Sequence, residues 1–344
     1  MRPASPQLTV VGAGVAGLVC ALELAERGAQ VEVLERAEST GAACCSWFAG
    51  GMLAPWCELE SAERLIAELG SEGIPWWRER FSGTHTRGSI VVAHGRDKGE
   101  LARFARRTER FEWLDEQALA ALEPDLAGRF EQALFFREEG HLNPRAALAG
   151  LIERLAALGV PIRYGVEASR DQVGASNQLI VDCTGLAARA VLTDLRGVKG
   201  EMLLLKSNEI SLSRPIRVLH PRMPLYIVPR GDGLYMVGAT MLESDQQTRI
   251  SARSMLELLS AAYALHPAFG EAEIAEIGTG VRPAFPDNLP RIRCAGRTLH
   301  VNGLYRHGFL LAPGLARRLA DHVFDGTVYP EVMSDEDHRQ RRLA

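Results

Sequence analysis

Residues 8–17, Leu-Thr-Val-Val-Gly-Ala-Gly-Val-Ala-Gly, decide the fold of this chain. An apolar run ends in the pattern Gly12-x-Gly14-x-x-Gly17, and a helical pattern follows it directly. Gly12 permits a tight turn, Gly14 lets the backbone approach a pyrophosphate, and Gly17 lets helix and strand pack closely. A second strand, predicted to end at Glu35, supplies the acidic residue that accepts from a ribose hydroxyl in such sites. Together these features predict a dinucleotide-binding βαβ unit.

The composition is that of an ordinary globular protein. The 344 residues suit one large domain or two intertwined ones. The net charge of -4 gives no basic field that would favour nucleic acid as a partner. No run of about 18 apolar residues occurs, and Met1 to Gln7 are too short and polar for a signal peptide. We therefore expect a cytoplasmic protein without a transmembrane segment.

The cysteines and histidines do not indicate a metal site. None of the six cysteines forms a CxxC pair, which argues against zinc and thioredoxin-like chemistry. The adjacent Cys44 and Cys45 allow a rare vicinal disulfide, but two small thiols are the simpler expectation. His141, His220 and His300 are scattered without metal-ligand spacing, so no metal is expected.

The order of predicted elements indicates a discontinuous architecture. A βαβ start is followed by strands that include a hairpin at Arg230–Gly233, and the chain then returns to a strand and a last helix. This order predicts an α/β fold in which a Rossmann-like dinucleotide domain is intertwined with an antiparallel-sheet substrate domain. The predicted division is 1–85, 142–198 and 276–344 for the first domain, and 86–141 and 199–275 for the second. Longer helices are predicted over Ser61–Leu69, Trp76–Phe81, Arg145–Leu158, Ser251–Leu265 and Gly314–Phe324.

A run of small residues, Ala42 to Pro55, follows the second strand and suits backbone lying against a large flat ring. Within it, Gly50-Gly-Met-Leu-Ala-Pro55 resembles the glycine oxidase branch, of the thiamine-pathway type, in the D-amino-acid oxidase family of FAD-dependent oxidoreductases. Further matches occur in the family's order, so the resemblance spans nearly the whole chain. They are Val198–Glu201, Tyr226–Arg230 with Val237–Met241, Gly280–Pro283 with Asp287–Pro290, and Tyr305–Pro313.

The resemblance implies three catalytic residues. Arg282 matches the family's carboxylate-binding arginine, and a guanidinium grips a carboxylate with two charge-assisted hydrogen bonds. Tyr226 matches a second carboxylate contact, although a strand tyrosine also suits a core. Arg306 matches a further active-site arginine, and its loop leads into the last helix, where unpaired N–H groups would face the flavin.

The resemblance also implies non-covalent FAD, since no cysteine stands where covalent-flavin relatives attach the cofactor. The implied cofactor contacts are Gly12, Gly14, Val15, Ala16, Gly17, Glu35, Arg36, Cys45, Ser46, Gly50, Gly51, Met52, Val166, Thr184, Gly185, Tyr305, Arg306, His307, Gly308, Phe309 and Leu310.

The implied reaction is oxidative deamination of glycine or a similar small amino acid by O₂, giving an imino acid and H₂O₂. In the resembled branch this product serves formation of the thiazole ring of thiamine. Alternatives stay open: a sarcosine or D-amino-acid oxidase, a flavoprotein that oxidises an amine or side chain on a protein during quinone-cofactor maturation, and a non-enzymatic flavin-binding protein. Nucleic acid is not an expected partner, and a homo-oligomer is compatible with the sequence.

Overall fold

The structure is a computed structural model that describes residues 5–41, 43–168, 178–219 and 225–335. Ala42 and His220 lie outside these ranges. The described α-helices are α1 (Val15–Glu26), α2 (Pro55–Glu58), α3 (Arg64–Arg80), α4 (Lys98–Ala105), α5 (Glu116–Leu122), α6 (Pro144–Ala157), α7 (Ala252–Leu265) and α8 (Gly308–Asp325).

A seven-stranded sheet carries the N-terminal glycine turn. Its order in the described chain is β18 (Met333–Asp335), β16 (Arg291–Ala295), β17 (Thr298–Asn302), β9 (Leu179–Asp182), β1 (Gln7–Val11), β2 (Gln30–Leu34) and β8 (Ile162–Arg163). Strand β1 is parallel to both neighbours, β2 and β9. The carboxyl ends of these strands therefore meet at one edge, where open α/β sheets bind ligands.

A nine-stranded, mostly antiparallel sheet forms the second layer. Its described order is β14 (Leu242–Glu243), β10 (Arg196–Lys206), β13 (Leu234–Gly238), β12 (Leu225–Gly231), β11 (Ile216–Leu219), β4 (Ser89–Ala93), β6 (Gln132–Phe136) and β5 (Glu112–Asp115), with β15 (Glu273–Ala284) paired to β10. The short strands β3 (Met52–Leu53) and β7 (Gly140–His141) pair separately. The β12–β13 pairing confirms the predicted hairpin, and the two sheets confirm the predicted fold class.

Strands β10 and β15 are long and pair from Arg196 with Ala284 to Lys206 with Glu273. The predicted domain boundaries at 198–199 and 275–276 fall within these two strands. The division into two domains stays a prediction.

Two predicted helix boundaries are wrong. Instead of ending at Leu69 and restarting at Trp76, α3 runs unbroken through Pro75. The indoles of Trp76 and Trp77 are fully buried, and their Nε1 atoms donate to Glu23 at 2.9 Å and to the Phe309 carbonyl at 2.7 Å. This anchoring offsets the hydrogen bond that a proline removes from a helix interior.

The last helix begins at Gly308 rather than Gly314, so Pro313 lies inside it. The Leu311 N–H already donates to the His307 carbonyl at 2.9 Å, and residues 309–312 are buried. Burial of this apolar turn against α1 and α3 favours the earlier start. In the described ranges, no helix has the length and apolar character needed to cross a bilayer.

Candidate active site

The glycine turn after β1 has no room for a side chain at Gly12 or Gly17. Gly12 has a φ of +102°, and a Cβ there would lie 2.7 Å from the Cys183 carbonyl oxygen. A Cβ on Gly17 would lie 1.8 Å from the Gly12 carbonyl oxygen. Helix α1 begins just after Gly14, and its Val15 N–H donates to Ser46 Oγ at 3.2 Å. The helix N-terminus thus faces the edge of the sheet, where a phosphate is favoured.

A large cavity of about 880 Å³ extends from this turn. Residues at both parallel neighbours of β1 contribute to it, including Glu35 after β2 and Thr184 after β9. The predicted cofactor residues in its lining are Gly12, Gly14, Val15, Ala16, Glu35, Arg36, Cys45, Ser46, Val166, Thr184, Gly185, Tyr305 and Gly308. Gly17 is absent from this lining because it packs against Gly12.

The carboxylate of Glu35 is held beside the turn. Its Oε2 atom accepts from the Ala13 N–H at 2.7 Å and its Oε1 atom from the Ala37 N–H at 2.9 Å. Each oxygen keeps a free lone pair, so the side chain is fixed in place yet still able to accept from a ribose hydroxyl.

A second cavity, of about 100 Å³, shares Gly308 with the large one. It brings the three predicted catalytic residues, Arg282, Tyr226 and Arg306, into one lining. The other predicted cofactor residues border this smaller cavity: Gly50, Gly51, Met52, His307, Phe309 and Leu310. Its volume admits only a small substrate, since pockets for drug-sized ligands measure roughly 300–1,000 Å³.

Three guanidinium groups line the small cavity, and two are neutralised. Arg306 Nη2 donates to Glu58 Oε2, and Arg217 Nη2 donates to Glu60 Oε2 at 3.2 Å. Among the described residues, Arg282 forms no ion pair, and its hydrogen bond is from Nη1 to the Thr240 carbonyl at 3.1 Å. Burial lowers the pKa of Arg282, but a guanidinium stays charged in a protein. Arg282 therefore presents an uncompensated positive charge to the cavity.

The guanidinium of Arg282 lies directly over Gly200. Arg282 pairs with Val198, and Gly280 pairs with Gly200, in the β10–β15 ladder. A Cβ on Gly200 would lie 2.1 Å from Arg282 Nη2. Because Gly200 has no side chain, the guanidinium can lie against β10 and line the small cavity.

Glu58 is a site residue that the sequence analysis missed. It is the last residue of α2 and accepts from the Tyr226 hydroxyl at 2.8 Å. Burial raises its pKa, but the charge of Arg306, with a smaller contribution from Arg217, outweighs burial and lowers the pKa to about 2. The carboxylate is therefore ionised and serves as the counter-ion of Arg306.

Tyr226 is placed by two partners rather than one. Its hydroxyl accepts a hydrogen bond from Arg217 Nη1 at 2.8 Å and donates one to Glu58 Oε1 at 2.8 Å. A contact from Tyr226 to a substrate carboxylate would have to replace the bond to Glu58. That contact stays a prediction.

Arg230 holds the glycine segment that borders the small cavity. Its partly buried guanidinium donates to the carbonyls of Ala49, Gly50 and Leu142 at 2.8–3.0 Å. Burial, with a smaller contribution from the charge of Arg145, lowers the pKa of Arg230 to about 9. This clamp explains how a loop rich in glycine keeps one shape at the cavity wall.

The N-terminus of α8 forms part of the same wall. Its first residues, Gly308, Phe309 and Leu310, border the small cavity, and helices leave their first N–H groups without intrahelical partners. Burial lowers the pKa of the preceding His307 to about 4, so its ring is neutral. The corrected start of α8 brings these N–H groups to the cavity.

The cysteines are free thiols, including Cys44 and Cys45. Burial raises the pKa of Cys45 to about 12, which keeps this thiol protonated beside the large cavity. Within the described ranges, no three or more His, Cys, Asp or Glu side chains form a group that could hold a metal ion.

Glu139 supports α2 from behind. Its Oε1 atom accepts from the Cys57 N–H at 2.7 Å and the Trp56 N–H at 3.0 Å, while Ser89 Oγ bonds to Oε2. The side chain is fully buried. Burial, with a smaller contribution from Glu58, raises the pKa of Glu139 to about 8.

Glu139→Gln should therefore change how stability depends on pH. Between pH 4.5, the ordinary carboxyl value, and about 8, the folded state keeps a proton that the unfolded chain has lost. Wild-type stability contributed by this group is complete below that window and declines as pH rises through it. The glutamine variant should lack this decline, a difference of up to about 3–5 kcal/mol near pH 8. Urea unfolding from pH 5 to 9 measures it.

Glu138→Gln is the matched control for that experiment, because Glu138 is exposed and pairs with Arg110. It changes the charge equally without burial and should leave the wild-type slope intact. Parallel curves for wild type and Glu139→Gln would contradict a protonated Glu139.

A cavity of dinucleotide size that shares a wall with a small charged cavity is the arrangement of an enzyme that moves electrons between a cofactor and a small substrate. The chain belongs to the DAO family of FAD dependent oxidoreductases, whose family model matches residues 7–322. FAD is therefore the cofactor, and the residues that line the large cavity suit its chemical groups. The close-approach glycines and the N-terminus of α1 suit its pyrophosphate, and the Glu35 carboxylate suits its ribose.

Within this family, the chain is similar to proteins named for thiamine biosynthesis and for glycine oxidation. The chain is 56% identical over 326 residues to the putative thiamine biosynthesis oxidoreductase ThiO of Rhizobium etli, covering 94% of this chain and 98% of that one. It is 29% identical over 361 residues to a glycine oxidase of Pseudomonas aeruginosa, with 92% and 94% covered. The crystal structure of glycine oxidase from Geobacillus kaustophilus superposes with a TM-score of 0.79 at 24% identity, covering 96% and 99%. This last likeness shows the shared fold.

Proposed function

We propose that this protein oxidises glycine, or an amino acid of similar size, to the corresponding imino acid with formation of H₂O₂. The observation that carries the proposal is Arg282, a partly buried guanidinium without a carboxylate partner among the described residues. It lies in a cavity of about 100 Å³ beside the cofactor cavity. A monocarboxylate substrate supplies the missing negative charge.

The residues of the small cavity divide the work. Arg282 binds and orients the substrate carboxylate through its planar fork. Glu58 neutralises Arg306 and fixes Tyr226, which keeps their charges and protons from competing for the substrate. Bound FAD supplies the hydride acceptor, and O₂ then takes up the two electrons to give H₂O₂. The side chains thus contribute position and electrostatics rather than a strong general base.

The size of the small cavity also bears on the substrate class. It favours glycine, sarcosine or a small D-amino acid over a residue carried on a protein. The relative from Rhizobium etli is named for thiamine biosynthesis, and we extend that pathway role to this protein as a proposal. Non-covalent attachment of FAD, a cytoplasmic location and a homo-oligomer stay predictions of the sequence.

An anaerobic panel of small amines tests the proposed function. The purified yellow protein is mixed without oxygen with glycine, sarcosine, D-alanine or methylamine. Loss of flavin absorbance at about 450 nm is then followed in a stopped-flow instrument. Glycine should bleach the flavin, whereas methylamine, which has no carboxylate, should not. The proposal would fail if none of the amino acids reduced the flavin, or if methylamine did so as fast as glycine.

A further inference from the structure

A buried ion pair lies behind the substrate arginine. Lys199 and Glu201 are neighbours on one face of β10, and Lys199 Nζ donates to Glu201 Oε1 at 2.7 Å. Their side chains are 6% and 0% exposed, so both charges are out of water. Gly200, between them, faces the opposite side and supports Arg282.

Glu201 holds Thr240 at three points. The Thr240 hydroxyl donates to Glu201 Oε2 at 3.1 Å, and it accepts from the Glu201 N–H at 3.0 Å. The Thr240 N–H also donates to the Glu201 carbonyl at 3.1 Å. The carbonyl of this fixed threonine accepts a hydrogen bond from Arg282 Nη1. Among the described residues, it is the group that accepts from the Arg282 guanidinium. Rotation of the Arg282 fork is therefore set by Thr240.

Lys199 uses all three of its donors. Besides Glu201, Nζ donates to Thr248 Oγ1 at 3.0 Å and to the Arg249 carbonyl at 2.9 Å. The Ser251 N–H also bonds Glu201 Oε1, at 3.3 Å. Gln247, in the same segment, lines the large cavity. The pair thus joins β10, Thr240 and the 247–251 segment into one hydrogen-bonded unit.

Stability alone does not account for this arrangement. Removing two charges from water is costly, and a buried ion pair often contributes no more than apolar side chains of the same size. A fully satisfied network does, however, restrict its members to one geometry. Here that geometry ends at the Arg282 guanidinium.

We propose that the Lys199–Glu201 pair is a positioning element for the carboxylate-binding arginine. By fixing the Thr240 carbonyl, it orients the Arg282 fork toward the small cavity. The inference rests on the proposed role of Arg282 in the preceding subsection.

Glu201→Gln tests it, with acetate as the probe. The variant keeps the shape of the side chain, but a donating NH₂ group replaces one of the two oxygens that accept from Lys199 and Thr240. Acetate binding, followed by the shift it causes in the flavin spectrum, should weaken about tenfold, the effect of one lost orienting bond to a charged group. KM for glycine should rise by a similar factor, while flavin reduction at saturating glycine changes less than about threefold.

The control is Glu123→Gln. Glu123 is also buried and pairs with Arg214 at 3.4 Å, and it has no hydrogen bond to Arg282. It should lose stability without loss of acetate affinity. Equal acetate affinity in Glu201→Gln and wild type, even with a lower melting temperature, would overturn the inference, because a structural role alone predicts that result.

Thr240→Val provides a second variant that leaves the ion pair intact. It removes both hydroxyl bonds to Glu201 and should weaken acetate in the same direction. In an Arg282→Met background, Glu201→Gln should have no further effect on acetate, and full additivity would count against the proposal. Acetate binding needs no turnover. If glycine failed to reduce the flavin but acetate binding still weakened in Glu201→Gln, the positioning inference would stand and the proposed function would fall.

Discussion

Replacing Arg282 by methionine is expected to lower kcat/KM for glycine by about 30-fold to a few thousandfold. Removing one member of a buried, hydrogen-bonded charge pair costs about 2–5 kcal/mol, and each 1.4 kcal/mol is about tenfold. Arg282 lacks a carboxylate partner among the described residues, so the substrate carboxylate would be the group left unpaired. Methionine retains an unbranched apolar side chain over Gly200. Stopped-flow flavin reduction and oxygen uptake measure the loss.

The accompanying variants separate charge, geometry and folding. Arg282→Lys keeps the charge but loses the planar fork, so an intermediate loss is expected. Arg137→Met removes the same charge from an exposed pair with Glu112 and should retain wild-type kinetics. A wild-type kcat/KM in Arg282→Met, with FAD fully bound, would show that the carboxylate binds elsewhere.

Gly17→Ala should abolish retention of FAD through purification. The new Cβ would lie 1.8 Å from the Gly12 carbonyl oxygen, and a backbone atom cannot move aside as a flexible side chain does. Helix α1 would have to shift away from β1, which disrupts the turn that approaches the pyrophosphate. A cost of about 3 kcal/mol or more corresponds to at least about a hundredfold weaker FAD binding. The ratio of flavin to protein absorbance after gel filtration measures it.

Two glycines provide the comparison. Gly99→Ala, in α4, meets no atom within 4 Å and should leave the FAD content unchanged. Gly14→Ala meets only Cys44 Sγ and Ser46 Oγ, at 3.5 Å, so the fold should tolerate it. Weaker FAD binding in that variant would report the approach of the pyrophosphate itself. A full complement of FAD in Gly17→Ala would refute the assigned role of the turn.

The cofactor half could be predicted from the sequence because its information is local. The Gly12 to Gly17 turn, its helix and Glu35 follow within 28 residues of position 8, and each has a backbone or hydrogen-bonding reason for its identity. The resemblance singled out Arg282 among the 39 Lys and Arg residues, and the structure has this residue in the lining of the small cavity; its catalytic role stays a prediction.

The remaining site residues depend on partners distant in the chain. Glu58 ends a helix of four residues, and its role exists only once Tyr226 and Arg306 reach it. Lys199 and Glu201 did carry a signal: two opposite charges, two positions apart, in a strand whose other interior residues are apolar. Alternation within a strand predicts that such side chains share a face, but not which threonine or arginine they serve.

The packing of α8 on α1 has a consequence for protein synthesis. The two helices meet across almost the whole chain, and Arg27 pairs with Asp321 at 2.6 Å. At about 5–20 residues per second, roughly 15–60 s separate translation of the glycine turn from translation of the helix that covers it. The apolar face of α1 that α8 covers in the folded protein therefore stays exposed until that last helix has been synthesised.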